Sequence, residues 1–161
     1  MNWKSNAVEP IAEGDDMSIT MPQAGTGLSD ASNCLTVDLE GLSLAWAVAT
    51  VEYPTRSYMF IADVLALERY QGARGQIDNW WFAYAPQDNP AHSTPIIDRE
   101  RVCVIACPDS AEWVAFTCTD GGARQFVVKG PTMTIAAMRC HVLRKLGSTV
   151  VLPKGLTCPK Q

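Results

Sequence analysis

Glu112-Trp113-Val114-Ala115-Phe116-Thr117-Cys118-Thr119-Asp120-Gly121-Gly122-Ala123-Arg124-Gln125-Phe126-Val127-Val128-Lys129-Gly130-Pro131-Thr132 is the stretch on which the fold turns. From Glu112 to Thr119, Trp113, Ala115 and Thr117 alternate with Val114, Phe116 and Cys118, the two-residue period of a strand. Asp120-Gly121-Gly122 reads as a turn, and Gln125–Lys129 as the strand that follows it. Upstream, Arg101–Cys107 is rich in β-branched and small residues and ends at the turn Pro108-Asp109-Ser110. Three strands joined by short turns make an antiparallel meander. Gly130-Pro131-Thr132 then breaks the sheet and starts a last helix, with Thr132 or Thr134 as N-cap and Gly147 as its end.

Working towards the termini, Ser148–Pro153 reads as a final extended segment. On the other side, Asp38 is a candidate N-cap for a first helix. Leu39, Leu42, Trp46, Ala49 and Tyr53 recur at helical spacing, Leu44, Val48 and Val51 form a second stripe, and Pro54 stops the run. A second helix is expected from Tyr58 to Gln71, capped by Ser57 and ended by Gly72. Asp63, Glu68 and Arg69 are spread around its wheel, so it is either buried or faces a partner. Between Gly72 and Asp98 turn chemistry surrounds the aromatic island Trp80-Trp81-Phe82-Ala83-Tyr84, a short strand or a loop over a pocket. Residues 1–35 have no apolar periodicity and read as a flexible or loosely draped extension. The expected fold class is α+β: an antiparallel meander packed with helices in a layered α/β sandwich, one domain over residues 36–161.

With 161 residues, 47% of them hydrophobic and 19% charged, the chain has material for one core without a metal or disulfide staple. The apolar run Leu42–Val51 is shorter than the roughly 20 residues a membrane helix needs. No apolar stretch follows Lys4 as a secretion signal would require, so a soluble cytoplasmic protein is expected. The net charge of −4 is unevenly placed: no acidic residue follows Asp120, whereas seven lysines and arginines do. That asymmetry fits either an anion-binding end or a basic C-terminal part packed beside an acidic middle. Basic residues interleaved with aromatics are lacking, so nucleic acid is not indicated. Cysteines at 34, 103, 107, 118, 140 and 158 form no C-x-x-C, and reduced thiols acting as small core residues are expected.

On the last helix, Ile135, Met138, Val142 and Leu146 share one stripe, the core face. Arg139 lies about 40° from Ile135 on the same side, given 3.6 residues per turn. An arginine there is held by a carboxylate, snorkels along its stem, or grips an anionic ligand with its planar fork. Asp98 and Glu100 are its candidate partners. His141, Arg144 and Lys145 fall mostly off the stripe, as a solvated face. Gly130-Pro131-Thr132-Met133-Thr134 offers free amides and two hydroxyls, an anion seat or an ordinary cap.

Several blocks together resemble one family. They are Leu42-Ser43-Leu44-Ala45-Trp46-Ala47-Val48-Ala49, Pro95-Ile96-Ile97-Asp98-Arg99-Glu100-Arg101-Val102, Trp113-Val114-Ala115, and Gly130 through Cys140 with Lys145-Leu146-Gly147 and Val150-Val151-Leu152-Pro153. In order and spacing, over about half of the chain, they are similar to the phage and prophage NinX-like proteins, a domain of unknown function in tailed phages of proteobacteria. Asn89-Pro90-Ala91-His92-Ser93-Thr94-Pro95 departs from the family pattern, lacking the tryptophan and glycines usual there. The resemblance implies a phage accessory protein and supplies no catalytic residues.

Two functions are therefore expected. The first is non-catalytic binding of a host or phage macromolecule, with Trp80 and Trp81 as surface anchors. The alternative is a binder of a small nucleotide-type anion, sequestering a host defence signal. Gly130, Thr132, Thr134 and Arg139 would hold the phosphate, Asp98 would lie nearby, and Trp80, Trp81 or Trp113 would stack on the base. Catalysis is not expected, since His92 and His141 stand near no nucleophile elbow. Asp98 and Glu100, on one face if in a strand, could in principle hold a divalent metal, but such acidic pairs are common on plain surfaces; no metal or cofactor is expected. A homodimer is compatible with either function.

Overall fold

The computed structural model describes residues 32–70 and 79–159. Eight strands in three antiparallel sheets and three α-helices make an α+β fold among those residues. The meander is present as expected, with strands β5 (Cys103–Ala106), β6 (Trp113–Thr119) and β7 (Arg124–Gly130) in sequential order. Cross-strand pairs share a face, so Ala115 with Val128 and Thr117 with Phe126 form the inner side. Helix α3 (Met133–Leu146) lies on that side and also touches α1 (Gly41–Glu52) and α2 (Pro90–Glu100). Leu44, Val48, Ala115, Val128, Met138 and Val142 are among the residues buried where these layers meet.

Four elements differ from the expectation. Residues 58–70 are not a helix but a hairpin, β2 (Tyr58–Ile61) and β3 (Val64–Tyr70), and β4 (Asn79–Ala83) completes the sheet. The segment is rich in β-branched and aromatic residues, and Ala62 accepts φ of 50° to close a two-residue turn. The turn-rich stretch before Asp98 contains α2, whose Asn89 cap accepts from the Ala91 amide at 3.0 Å and whose first residue is Pro90. The first helix is capped at Glu40 rather than Asp38; Ser43 Oγ accepts from the Glu40 amide at 3.3 Å, and Asp38 ends a short 3-10 turn. Residues 32–35 belong to the domain: β1 (Ser32–Leu35) pairs with β8 (Thr149–Leu152), the extended segment expected after the last helix. The reading of residues 1–31 as an extension lies outside the described residues.

The cysteines also differ. Cys34 and Cys158 are disulfide-bonded, with Cα atoms 5.4 Å apart although they stand 124 positions apart in sequence. The β1–β8 pairing sets Cys34 opposite Val150, within reach of the segment that follows β8. Cys103 and Cys118 are exposed rather than core residues, and only Cys140 of the free thiols is buried.

Candidate functional site

Arg139 projects from the middle of α3 and is 4% exposed. Its Nε donates to the Leu39 carbonyl at 2.8 Å, one terminal nitrogen to the Lys129 carbonyl at 3.0 Å, and the other to Glu40 Oε1 at 2.8 Å. The side chain is thus held by a carboxylate, but that carboxylate is Glu40, not Asp98 or Glu100. Charge-assisted bonds of this kind fix the planar fork in one orientation. Arg139 therefore joins three segments: the lead-in to α1, the end of β7, and α3.

The start of α3 is similarly occupied. Thr132 Oγ1 accepts from the Ile135 amide at 3.2 Å, and Thr134 Oγ1 donates to the Gln87 carbonyl at 2.6 Å. Gly130 passes so close to the helix that a Cβ there would stand 2.6 Å from the Ala136 nitrogen. The hydroxyls and the glycine serve strand-to-helix packing. They do not form an empty anion seat.

A surface cleft of about 650 Å³ does open beside this junction, and Gly130 and Arg139 both line it. Val37, Val127, Val128 and Pro131 give it apolar walls, and Asp38, Glu40 and Glu112 give it carboxylates. Lys129 is paired with Glu112 at 3.0 Å, and that bond holds the ammonium pKa above its ordinary value. Both cations of the cleft are thus engaged by acids. No tryptophan among the described residues lines it. Trp113 is half-buried opposite Gly130 on the meander's inner face, Trp81 is exposed on β4, and Asp98 is exposed on α2. The side chain of Trp80 lies outside the described residues. Of the expected ligand residues whose side chains are described, only Gly130 and Arg139 line this cleft.

The expected metal pair is also dispersed. Two residues apart on a helix are about 200° apart around its axis, so Asp98 and Glu100 point to different sides. Glu100 instead sits among Arg99 Nε at 3.2 Å, Arg144 at 2.8 Å and Lys145 at 3.1 Å. Burial works to raise the Glu100 pKa, but the bonds from Lys145 and Arg99 outweigh it and hold the carboxyl below its usual range. No cluster of three metal-ligating side chains occurs among the described residues.

Sequence reasoning missed one polar cluster. His141, expected on a solvated face, is wholly buried, because α3 is enclosed on all sides from Ala136 to Val142. Its Nε2 lies 3.0 Å from Glu52 Oε1, outside the angular range of a hydrogen bond, and the same oxygen accepts from Arg99 at 2.6 Å. Burial pushes the His141 pKa down against the pull of Glu52 and Glu100. Nearby, the buried Tyr84 hydroxyl is raised by desolvation, with Tyr53 and Glu52 adding to it. Tyr84 stacks on His92 with ring centroids 5.1 Å apart, and His92 Nδ1 accepts from the Ala85 amide. The cluster ties the ends of α1 and α2 to α3. No spacing in the sequence signalled it; the burial of α3 from Ala136 to Val142 is seen only in the fold.

What fold and cleft define together is a small α+β domain, with an open cleft where its meander runs into its last helix. Within that class, the chain belongs to the family described as Bacteriophage P22, NinX, whose model matches residues 36–145, more than half of its length. It is accordingly a phage accessory protein. No curated protein matches the chain. No helix among the described residues is long and apolar enough to cross a membrane.

Proposed function

We propose that the protein acts without catalysis, binding a host or phage protein through the outer face of its meander in the cytoplasm of the infected bacterium. The observation that carries this reading is the composition of that face. Ile105 pairs with Val114, and Phe116 with Val127, so four apolar side chains lie together on the side away from α3. Ile105 is 55% and Val127 57% exposed. Val127 also lines the cleft, which extends the apolar face towards Gly130 and its carboxylate rim. Contiguous exposed apolar surface rimmed by polar groups is characteristic of protein interfaces. Trp81, exposed on a separate sheet, is a further anchor of the kind interfaces use.

The second reading, sequestration of a nucleotide-type anion, is favoured by one observation: Arg139 and Gly130 share a cavity. It is weakened by the engagement of Arg139, Thr132 and Thr134 within the fold. Native mass spectrometry of the full chain after incubation with lysate of infected cells separates the two. The expected result is a protein-sized adduct that is lost in an Ile105→Glu/Val127→Glu variant. A small adduct that survives in that variant and disappears in Arg139→Ala would overturn the protein-binding reading in favour of the anion.

A further inference from the structure

A second concavity, at the C-terminal part of α1, has the composition of a ligand site. Trp46, Tyr53 and Tyr58 give it aromatic walls, Leu67 is apolar, and its volume is about 180 Å³. Trp46 and Tyr58 meet edge to face with centroids 6.5 Å apart. The Arg56 guanidinium lines the same pocket and rests 4.4 Å above the Tyr53 ring. Among the described residues it makes no ion pair, although the arginines at 99, 139 and 144 are all bound to carboxylates. Trp46 Nε1, a donor with no acceptor capacity, is buried without a hydrogen-bond partner.

We infer that this pocket binds a small aryl carboxylate. Aromatic walls receive a ring by edge and offset contacts. A guanidinium held flat on a tyrosine presents its donors to a planar oxyanion. In the bound state the indole turns so that Nε1 meets a carboxylate oxygen, which supplies the partner it lacks. The volume lies below the roughly 300–1,000 Å³ of sites for drug-sized ligands, so the occupant is one ring with its acid group, not a whole nucleotide. The same chemistry comes from a free aryl acid or from a peptide ending in phenylalanine. Neither Ile105 nor Val127 lines this pocket, so its failure and that of the protein-binding face are separable.

The test is proton–nitrogen correlation NMR of the full chain, with the Trp46 indole peak identified by its absence in Trp46→Phe. Benzoate is expected to shift that peak saturably, and the neutral isostere benzamide to bind at least about tenfold more weakly, because charge-assisted bonds are roughly twice as strong as neutral ones. Arg56→Gln, a change at a half-exposed side chain that leaves the other peaks in place, is expected to bring benzoate down to the level of benzamide. Tighter binding of glycyl-phenylalanine than of benzoate assigns the ligand to a peptide C-terminus, and the reverse order to a free acid. An indole peak that ignores benzoate, equal responses to benzoate and benzamide, or unchanged benzoate binding by Arg56→Gln overturns the inference.

Discussion

Glu40 Oε1 and the Arg139 guanidinium lie 2.8 Å apart although 99 positions separate them in the chain. Arg139 is almost fully buried and the Glu40 side chain is 41% exposed, so the pair straddles the domain surface. The arginine also satisfies two backbone carbonyls, at Leu39 and Lys129. Its loss strands more than one partner.

Arg139→Leu is expected to destabilise the fold by about 3 kcal/mol, the scale of losing one member of a largely buried charged network. Glu40→Gln is expected to cost about 1 kcal/mol, because the acid is partly hydrated and the amide oxygen still accepts. Urea denaturation with unchanged m-values measures both. Equal losses for the two variants would show that the ion pair, not the carbonyl contacts, dominates.

Stability is expected to fall as pH drops below about 6.5, the ordinary histidine value from which His141 is lowered. In that range the unfolded chain binds a proton that the folded His141 refuses, so unfolding gains with acid, and the loss levels off once pH passes below the folded value. His92, lowered by its own burial, acts in the same direction. Thermal melts from neutral to mildly acidic pH should show the slope, and His141→Gln should reduce it without abolishing it. A slope unchanged in that variant would assign the titration elsewhere.

Gly130→Ala is expected to cost about 1–3 kcal/mol, the usual range for overpacking a tight contact. The added methyl meets the Ala136 backbone at 2.6 Å and the Ala136 Cα at 2.9 Å, and backbone cannot swing aside as a flexible side chain does. The same substitution at Gly121 meets nothing within 4 Å, but its φ of +68° imposes a separate strain. Calorimetric melting of Gly130→Ala tests the close approach, and a midpoint equal to that of the wild type would contradict it.

Asn89→Ala is expected to lower stability by about 1 kcal/mol through loss of the α2 cap. Asn89→Asp, which keeps an acceptor at that position, should remain close to the wild type. Chemical denaturation of the two variants side by side decides it, and an equal loss in both would place the effect outside the cap.

The meander and last helix were legible because their signals are local: strict alternation, glycine turns, and a threonine cap. The same wheel placed Arg139 on the core side. It could not find Glu40, because no sequence period connects residues 99 positions apart. The hairpin of β2 and β3 was hidden because Tyr58–Ile61 and Val64–Leu67 are apolar on both faces, which suits a buried helix as well as a strand. Its turn, Ala62-Asp63, contains no glycine or asparagine to announce it. Helix α2 buries only Ser93 and Ile96 and contains Pro95, so it lacks apolar periodicity; Asn89-Pro90 was its readable signal. His141 was misplaced for the opposite reason, since a helix covered all round has no wet face to predict.

The bond between Cys34 and Cys158 changes what kind of object the chain is. Oxidised, everything from residue 34 to residue 158 is a covalent ring, entered and left by the chain at two neighbouring positions. One protease cut anywhere within the ring opens it but releases no fragment. A motor that pulls a polypeptide through a narrow pore must also drag two strands abreast once it reaches the knot. Thiols are kept reduced in ordinary cytoplasm and pair in oxidising surroundings. The same molecule is therefore a thread where its thiols are kept reduced and a loop where they pair.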